Sequence, residues 1–453
     1  MLSRRTFLTG LGAGAVGLAV NGCSKGGGSS ASSSSSISTT TTSVLRAAGD
    51  RPDPSKPEGI DTLPQIEHIV VVMMENHSYD NYLGMLDRGD GFTRGPDGKP
   101  TNANPDATGE ALRAFHMANT CQLPRKPSQA WGASHQQYAD GAMSGFVQSD
   151  SGPVAMGYWT GDDLPFYYAL ANTFPVCDRW FGSCLAQTWP NRRFLLAATA
   201  FGTINNDLNV LINGPQPAGG TIMDQLNKHS IPWRDYFTNL PSVGLFPPVF
   251  QANQDKLSNI DQFFVDAAAG ALPAFSLVEP DYNRTSEENS EDITLGEAFT
   301  SKVVQAVMHG PGWGKSVVIW CYDEHGGYYD HVPPPPAIAP DAIAPMIGPN
   351  DPPGDYARYG FRVPAAIISP WAKRDYVSHV VHDHTSILKL IETKFNLPAL
   401  TARDANADNL LDSLDFDHDP AFLTPPVLRP SHNNGVDALC TSGDPGPVPN
   451  PQG

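Results

Sequence analysis

The sequence is poor in positive charge. Its 453 residues include 29 lysines and arginines against 47 aspartates and glutamates, which gives a formal net charge of −18. A broad nucleic-acid surface needs clustered lysines and arginines, so this balance argues against a nucleic-acid partner. Charged residues make up only 17% of the chain and hydrophobic residues 40%, which is an ordinary balance for a globular protein.

The sequence also lacks a C-x-x-C pattern and any long hydrophobic run. Without such a pattern among its six cysteines, a thiolate zinc site is not expected. A disulfide between Cys177 and Cys184 stays open, because the sequence does not decide it. The apolar run near the N-terminus, LTGLGAGAVGLAV, has about thirteen residues. That is too short for a membrane-spanning helix, so none is expected in the mature chain.

An export signal is what the N-terminus does contain. The stretch SRRTF followed by that apolar run is typical of a twin-arginine signal peptide over residues 1–23. Residues 20–23 (VNGC) resemble a lipobox, which leaves two outcomes open: acylation of Cys23, or cleavage nearby with loss of Cys23. We expect export by the twin-arginine machinery to the periplasm, the medium or a lipid-tethered position at the cell surface.

Composition divides the rest of the chain into three segments. Residues 24–59, rich in Ser, Thr, Gly and Pro, are predicted to be a flexible tether. Residues 60–428 are predicted to form one folded domain, and residues 429–453 a loosely ordered tail. Nine prolines between residues 332 and 354 predict an extended loop, either a rim over a cleft or a surface excursion.

Hydrophobic patterning predicts the fold class. Uninterrupted apolar stretches predict buried strands, and amphipathic patterns between and after them predict helices. The predicted strands are residues 66–74, 316–322 and 362–369, and the predicted helices are residues 187–200, 220–228, 259–269, 295–308 and 385–395. Buried strands that alternate with helices are typical of an α/β fold with a mainly parallel sheet.

Two of these strands end on paired oxygen-bearing side chains. The first runs into Glu75 and Asn76, and the second into Asp323 and Glu324. Ligands of open α/β sheets bind beyond the carboxyl ends of the strands, so we expect the two pairs to meet. Neighbouring carboxylates repel each other unless a cation lies between them, and oxygen ligands favour Ca²⁺, Mg²⁺ or Mn²⁺. Each pair alone is also typical of a loop, a helix cap or a salt bridge.

Other polar residues have simpler alternatives. Thr188 stands at the expected start of a helix, where its hydroxyl caps the helix, faces a phosphate, or does both. His135 lies among polar residues, where a surface or structural role is usual. His382 is interpreted as structural, with Asp383 or Thr385 capping the helix that follows it.

Four motifs, in this order, resemble those of one bacterial family. They are IEHIVVVMMENHSYDNYLG, QTWPNRR, CYDEHGGYYDHVPPPP and SPWAKRDYVSHVVHDHTSILKLIETKFNLP. From about residue 66 to residue 398 the chain resembles the phosphoesterase family that includes non-haemolytic phospholipases C and secreted acid phosphatases. That family looks like a branch of the alkaline-phosphatase-like superfamily. The resemblance therefore implies a three-layer α/β/α sandwich around a largely parallel sheet.

The resemblance also implies a hydrolase site with one divalent, oxygen-coordinated metal ion. Thr188 would be the nucleophile, Asn191 would hydrogen-bond the phosphoryl oxygens, and His135 would lie near the leaving group. The implied metal ligands are Glu75, Asn76, Thr188, Asp323 and Glu324. The implied enzyme is an exported, phospholipase C-like hydrolase that cleaves phosphodiesters, such as phospholipid head groups, through a phospho-threonine intermediate. The alternative is an acid phosphatase that hydrolyses phosphomonoesters with the same site.

The chain departs from the family pattern at one place. Phospholipase C relatives often carry a histidine after a Glu-Pro-x-Tyr segment, whereas here residues 279–282 are followed by NRTSEENSEDITLGE, which has no histidine. One phosphate-contacting or acid role is therefore left without a residue. A third hypothesis, a surface-tethered binding protein with an inert site, would require Thr188 or a ligand to be missing, and all are present.

Overall fold

The computed structural model describes residues 45–122, 126–214, 216–436 and 439. The predicted signal peptide with Cys23, residues 24–44 of the predicted tether and most of the predicted tail lie outside these residues. Within the described ranges, no helix combines the length and the apolar character needed to cross a bilayer.

The secondary structure consists of short strands and helices of moderate length. The strands are β1 (His68–Met74), β2 (Ala103–Pro105), β3 (Ala111–Arg113), β4 (Phe115–His116), β5 (Gly157–Tyr158), β6 (Val176–Cys177), β7 (Trp233–Phe237), β8 (Leu257–Asn259), β9 (Phe275–Val278), β10 (Ser316–Tyr322), β11 (Ala365–Ile368) and β12 (Val377–Ser378). The α-helices are α1 (Tyr79–Leu83), α2 (Trp131–Tyr138), α3 (Pro165–Thr173), α4 (Thr188–Ala197), α5 (Leu208–Asn213), α6 (Ile222–Lys228), α7 (Pro247–Ala252), α8 (Ile260–Ala269), α9 (Ile293–Met308), α10 (His384–Phe395) and α11 (Ala402–Ala405). Single 3-10 turns are Ala139–Gly141, Gly152–Met156, Ser242–Leu245, Gln254–Lys256, Trp313–Lys315 and Leu411–Ser413.

One eight-stranded sheet forms the centre of the described chain, with the order β12-β6-β11-β10-β1-β9-β7-β8. Every pair in it is parallel except the two that β11 makes with β10 and β6, so β11 alone runs in the opposite direction. This topology confirms the mainly parallel sheet. The predicted strand at residues 362–369 is present as β11, and its reversed direction is the one feature that the apolar pattern did not indicate.

Helices cover both faces of this sheet. Every residue of β10, and every residue of β1 after His68, is buried. Helices α3, α8 and α9 pack together against β1, β7 and β10, whereas α4, α6 and α10 pack together as a separate group. Strands buried on both faces need two covering layers, so the arrangement is the predicted three-layer α/β/α sandwich.

All five predicted helices are present. Local capping explains where α9 begins and where α8 ends. Helix α9 starts at Ile293, two residues before its predicted start, because the Asp292 carboxylate accepts the backbone N–H of Thr294 at 3.1 Å. Helix α8 ends at Gly270, whose φ of 65° lies in the left-handed region that closes helices.

The folded unit extends beyond both predicted boundaries of the domain. Residues 45–59, assigned to the tether from their composition, are bound to the domain: the Asn396 amide donates to the carbonyl oxygens of Asp53, Lys56 and Pro57 at 2.9 to 3.0 Å. At the other end, Asn433 of the predicted tail donates to Thr294 Oγ1 at 3.0 Å. These segments have no regular structure, but side chains distant in sequence hold them.

The state of the cysteines shows whether the disulfide between Cys177 and Cys184 is formed. Cys177, Cys184 and Cys321 are free and buried, so the Cys177–Cys184 bond is not formed. Cys121 is disulfide-bonded.

Candidate active site

The ends of β1 and β10 bring the two predicted acidic pairs together. The strands pair in register from His68 opposite Ser316 to Met74 opposite Tyr322, so the residues that follow them are also neighbours. The Asp323 N–H donates to the Met74 carbonyl at 3.2 Å. A Cβ at Gly326 would lie 1.9 Å from the main-chain oxygen of Asn76, so only glycine permits this approach of the two loops.

The backbone of Asn76 and the carboxylate of Glu324 have features that are common at ligand-binding sites. Asn76 has a φ of 76°, a left-handed conformation that is uncommon for a residue with a side chain. The Glu324 carboxylate accepts the Gly326 N–H with Oε2 at 2.7 Å, but its buried Oε1 has no hydrogen-bond partner among the described residues. Strained backbone and unpaired buried oxygens are concentrated at functional sites.

Thr188 faces these acids from the start of α4. It is the first helical residue, and Gln187 occupies the N-cap position without a capping side chain, so the hydroxyl of Thr188 does not cap the helix. Its Oγ1 lies 3.5 Å from Asn76 Oδ1. The next two residues offer no free amide, because the Trp189 N–H bonds to Asn206 at 2.9 Å and Pro190 has none. The hydroxyl is therefore the group that the helix end presents.

A buried arginine links the acids but does not balance their charge. Arg192 Nε donates to Asp323 Oδ2 at 3.0 Å, its Nη1 donates to Glu279 Oε2 at 2.9 Å, and its Nη2 lies 3.7 Å from Glu75 Oε1. Burial and the nearby Asp323 raise the pKa of Glu75 to about 8. Burial raises the pKa of Asp323 to about 6, and burial with Asp323 raises that of Glu324 well above its usual value.

The oxygen donors at this site have the chemistry that a hard divalent cation requires. Three buried carboxylates, those of Glu75, Glu279 and Asp323, share one guanidinium, and the buried Glu324 adds a fourth acid without contacting it. The site therefore holds surplus negative charge that either protons or a cation must neutralise. The unpaired Glu324 Oε1 is a ready ligand atom. The oxygen donors are Glu75, Asn76, Thr188, Asp323 and Glu324, and oxygen donors suit Ca²⁺, Mg²⁺ or Mn²⁺.

A cleft of about 1000 Å³ opens above Thr188 and Glu75. Glu75, Thr188 and Arg192 line its base, while its walls are mainly apolar. The apolar wall residues include Trp189, Leu208, Leu240, Leu245, Pro247 and Phe250. Leu208 and Leu240 are 59% and 62% exposed, so the cleft joins a polar base to an apolar opening.

Sequence comparison identifies the family. The model of the phosphoesterase family matches residues 66–398. The chain belongs to this family. The phosphoesterase is 30% identical over 388 residues to non-specific phospholipase C3 of Arabidopsis thaliana, with 76% of this chain and 72% of that protein covered. It is also 30% identical over 431 residues to phospholipase C B of Mycobacterium tuberculosis, with 82% of each chain covered. The phosphoesterase is thus a hydrolase of phosphoester bonds.

Solved structures with partial similarity have low sequence identity. A protein in the alkaline phosphatase superfamily from Vibrio parahaemolyticus gives a TM-score of 0.36 at 12% identity, covering 69% of this chain and 73% of that one. The lipoteichoic acid synthase LtaP from Listeria monocytogenes gives 0.38 at 10% identity, covering 78% and 77%. The fold assignment rests on the sheet topology described above.

Asn191 lies on α4 with its side chain bonded into the loop that precedes Thr188. Its Oδ1 accepts the N–H groups of Ser183 and Cys184 at 2.8 and 3.1 Å, and its Nδ2 donates to the Ala186 carbonyl at 2.8 Å. The side chain is fully buried. Its amide therefore shapes the loop that leads to Thr188, which makes it a positioning residue. Its bond to the phosphoryl oxygens stays a prediction.

His135 is not placed beside Thr188. It lies on α2, where its Nδ1 is 2.8 Å from the Trp131 carbonyl and its ring packs 4.2 Å from the Trp131 ring. It lines a second cavity of about 760 Å³ together with residues 349–355 of the proline-rich loop, and it does not line the cleft that contains Thr188. The role near the leaving group that the resemblance implies for His135 stays a prediction.

Several residues that support the site had no predicted role. Arg192 had no predicted role, because it stands only as one residue of the QTWPNRR motif. Glu279 follows β9, the strand that pairs with β1, and its carboxylate accepts a hydrogen bond from the Tyr282 hydroxyl at 2.5 Å. His384 Nε2 lies 2.7 Å from the Asp323 carbonyl. This contact fixes the main chain just after β10.

The raised pKa of Glu75 gives a pH dependence with a definite sign. In the metal-free protein the carboxyl titrates near pH 8 when folded and near 4.5 when unfolded. The folded state therefore holds the proton more tightly, and its stability falls as pH rises through this window. We expect the melting temperature in chelator to drop by several degrees between about pH 5 and about pH 8, measured by differential scanning calorimetry.

Two controls separate this effect from other titrations. Glu75→Gln has no carboxyl to titrate, so its melting temperature should vary less over the same range. Saturating Ca²⁺, Mg²⁺ or Mn²⁺ should also reduce the drop, because the cation replaces the proton. A metal-free protein whose stability rises with pH in this window would contradict the charge surplus at the site.

Proposed function

We propose that this phosphoesterase is an exported, metal-dependent, phospholipase C-like phosphodiesterase that reacts through a covalent intermediate at Thr188. The observation that carries the proposal is the cleft, in which Thr188 and Glu75 lie at the base of mainly apolar walls. A phospholipid pairs an anionic phosphate with an apolar alcohol, and the cleft matches both parts. The relatives named as phospholipases C support the same class of substrate.

The chemistry follows from Thr188 and from the oxygen donors that come after β1 and β10. Glu75, Asn76, Thr188, Asp323 and Glu324 would hold the ion, which when bound lowers the pKa of the threonine hydroxyl and neutralises charge on the phosphate. Thr188 Oγ1 attacks phosphorus and the bond to the leaving alcohol breaks. Water then attacks the threonine phosphoester and frees the hydroxyl. The proton that Thr188 loses in the first step leaves with the alcohol, and the attacking water supplies the proton that restores the hydroxyl in the second, so water alone is consumed.

Positioning supplies the rest of the proposed catalysis. Arg192 fixes Asp323 and Glu279 through its guanidinium, and His384 holds the main chain of Asp323. Asn191 fixes the loop before Thr188. The acid that protonates the leaving alcohol has no residue assigned to it by this geometry, in keeping with the missing histidine after residues 279–282.

Export is the remaining part of the proposal. The SRRTF signal supports the twin-arginine route, and residues 20–23 support a lipid anchor through acylation of Cys23. An enzyme tethered outside the cell would meet phospholipid at surfaces, which suits a cleft with an apolar opening.

Paired initial rates on two soluble substrates test the proposal. We expect p-nitrophenyl phosphorylcholine, a diester, to be hydrolysed faster than p-nitrophenyl phosphate, a monoester. Chelator should abolish both rates, and Ca²⁺, Mg²⁺ or Mn²⁺ should restore them. A preference for the monoester would instead make the protein an acid phosphatase with the same site. No turnover of either substrate by metal-loaded protein would contradict both activities.

The exposed leucines at the opening are expected to matter for lipid surfaces. Burying one leucine contributes about 1.5–3 kcal/mol, so Leu240→Asp should lower the rate on phospholipid vesicles by about tenfold or more relative to the rate on the soluble diester. Val265→Asp is the matched control, because Val265 is 59% exposed on α8 and does not line the cleft. Equal losses on vesicles for both variants would exclude the opening as the lipid contact.

A further inference from the structure

A second group of potential ligands lies outside the cleft. His382 follows the edge strand β12, and Asp408 and Asp412 lie after α11. One ligand atom from each of the three residues lies within 4.8 Å of the others. His382 is completely buried, whereas the two aspartate side chains are partly exposed, so a small ion can reach the group from solvent.

The hydrogen bonds around His382 fix which ring nitrogen carries its proton. The Ser378 hydroxyl donates to Asp412 Oδ2, and a hydroxyl has only one proton to donate. Ser378 must therefore accept from His382 Nε2, which is 3.0 Å from its oxygen. In the neutral ring this leaves Nδ1 as a lone pair.

That lone pair faces another acceptor. Nδ1 of His382 is buried and has no hydrogen-bond partner among the residues described, and the oxygen nearest to it in the group, Asp408 Oδ1, is 3.5 Å away. Asp412 Oδ1 is also buried without a hydrogen-bond partner among the described residues, and it lies 3.6 Å from the other ring nitrogen, Nε2. Two acceptors repel each other unless a proton or a cation lies between them. Metal–ligand bonds of about 2.0–2.2 Å in a tetrahedral site place neighbouring ligand atoms about 3.4 Å apart, which matches the observed separation.

A comparable group elsewhere in the fold has its own counter-charge. Asp80 and Asp330 accept from the Arg362 guanidinium at 3.0 and 2.8 Å, so they need no added ion. Within the described chain, no arginine contacts the carboxylates of Asp408 or Asp412. The ammonium of Lys373 donates to the main-chain oxygen of Asp412 at 2.6 Å, rather than to its carboxylate.

We propose that His382, Asp408 and Asp412 bind a structural Zn²⁺-type ion, separate from the cation of the cleft. One imidazole nitrogen with two carboxylates is a donor set that suits Zn²⁺ better than the all-oxygen ions Ca²⁺ and Mg²⁺. The ion joins the segment that follows β12 to the segment at residues 408–412. This proposal does not depend on the proposed reaction.

Such an ion would support the active site through the chain that follows His382. Asp383 Oδ2 accepts the Ser183 hydroxyl at 2.8 Å, at the start of the loop that Asn191 shapes. His384 contacts the Asp323 carbonyl at 2.7 Å. Removing the ion would loosen both contacts.

The test is the zinc content of purified protein after chelator treatment, reloading with Zn²⁺ and dialysis, measured by elemental analysis. We expect His382→Gln and Asp412→Asn each to bind one Zn²⁺ fewer per chain than the wild type and to melt several degrees lower in Zn²⁺. Glu324→Gln reports the cleft ion separately, and His331→Gln, in the group balanced by Arg362, should match the wild type. Asp408→Asn replaces His382→Gln if that variant does not fold.

Unchanged zinc content in the His382, Asp408 and Asp412 variants would overturn the proposal. A protonated imidazole would then lie between the two aspartates. If the cleft binds no Zn²⁺, the wild type should bind one ion and His382→Gln none, so failure of the two metal sites can be told apart.

Discussion

Thr188→Ala is expected to lower kcat by about a thousandfold or more on either p-nitrophenyl substrate, because it removes the oxygen that attacks phosphorus. The loss should appear in kcat, since the acids and the apolar walls that bind substrate are intact. Metal content should fall much less than activity, because four other oxygen donors stay in place. Steady-state rates together with elemental analysis measure both quantities on one preparation.

Thr188→Ser is the matched control for this variant. Serine keeps a hydroxyl at the first residue of α4, so the variant should retain activity well above that of Thr188→Ala. Near-normal turnover by Thr188→Ala would exclude Thr188 as the nucleophile. Equal loss in both variants would indicate that the threonine methyl group, rather than the hydroxyl, is what the site requires.

Arg192→Leu is expected to have the largest effect on stability. Arg192 is 2% exposed and contacts Glu75, Glu279 and Asp323. Removing one partner of a buried ion pair costs about 3–5 kcal/mol, because the remaining charges are left uncompensated. The free energy of unfolding, measured in urea, should fall by about this amount. The fall should be larger in chelator than with saturating cation.

The neighbouring Arg193 provides the control. It is 1% exposed, but its guanidinium bonds to neutral groups, the Thr203 hydroxyl and the Leu245 carbonyl. Burial without an acidic partner lowers its pKa to about 10. Arg193→Leu should therefore cost less stability than Arg192→Leu, and its cost should not depend on the cation. The same cost for both variants, with or without cation, would mean that Arg192 acts through packing and not through charge.

The sequence indicated the centre of the fold because that part is encoded locally. The apolar runs at residues 66–74 and 316–322 are long enough to be strands buried on both faces, and their lengths place the acids at the strand ends. The reversal of β11 was not predictable, since strand direction depends on the path of the long loop before it. The attachment of residues 45–59 depends on Asn396, which is more than 300 residues away in sequence.

The site was predictable where the backbone determines it and less so where side-chain contacts do. Glu75 and Asp323 meet because adjacent parallel strands end together. His135 and Asn191 match a family motif by residue type, but their hydrogen bonds are made with α2 and with the loop at residues 183–187. Arg192 had no predicted role because an arginine in a helix is usually solvent-exposed, and only the packed structure shows its acidic partners.

The most direct test of the reaction is a search for substrate phosphorus on Thr188 during turnover. Metal-loaded protein is mixed with a phosphodiester, quenched with acid within one turnover, digested and analysed by mass spectrometry. The account predicts that the peptide containing Thr188 carries the phosphoryl group with its remaining substituent, and that this adduct is absent from Thr188→Ala. Turnover without any adduct, or an adduct on another residue, would contradict the threonine intermediate.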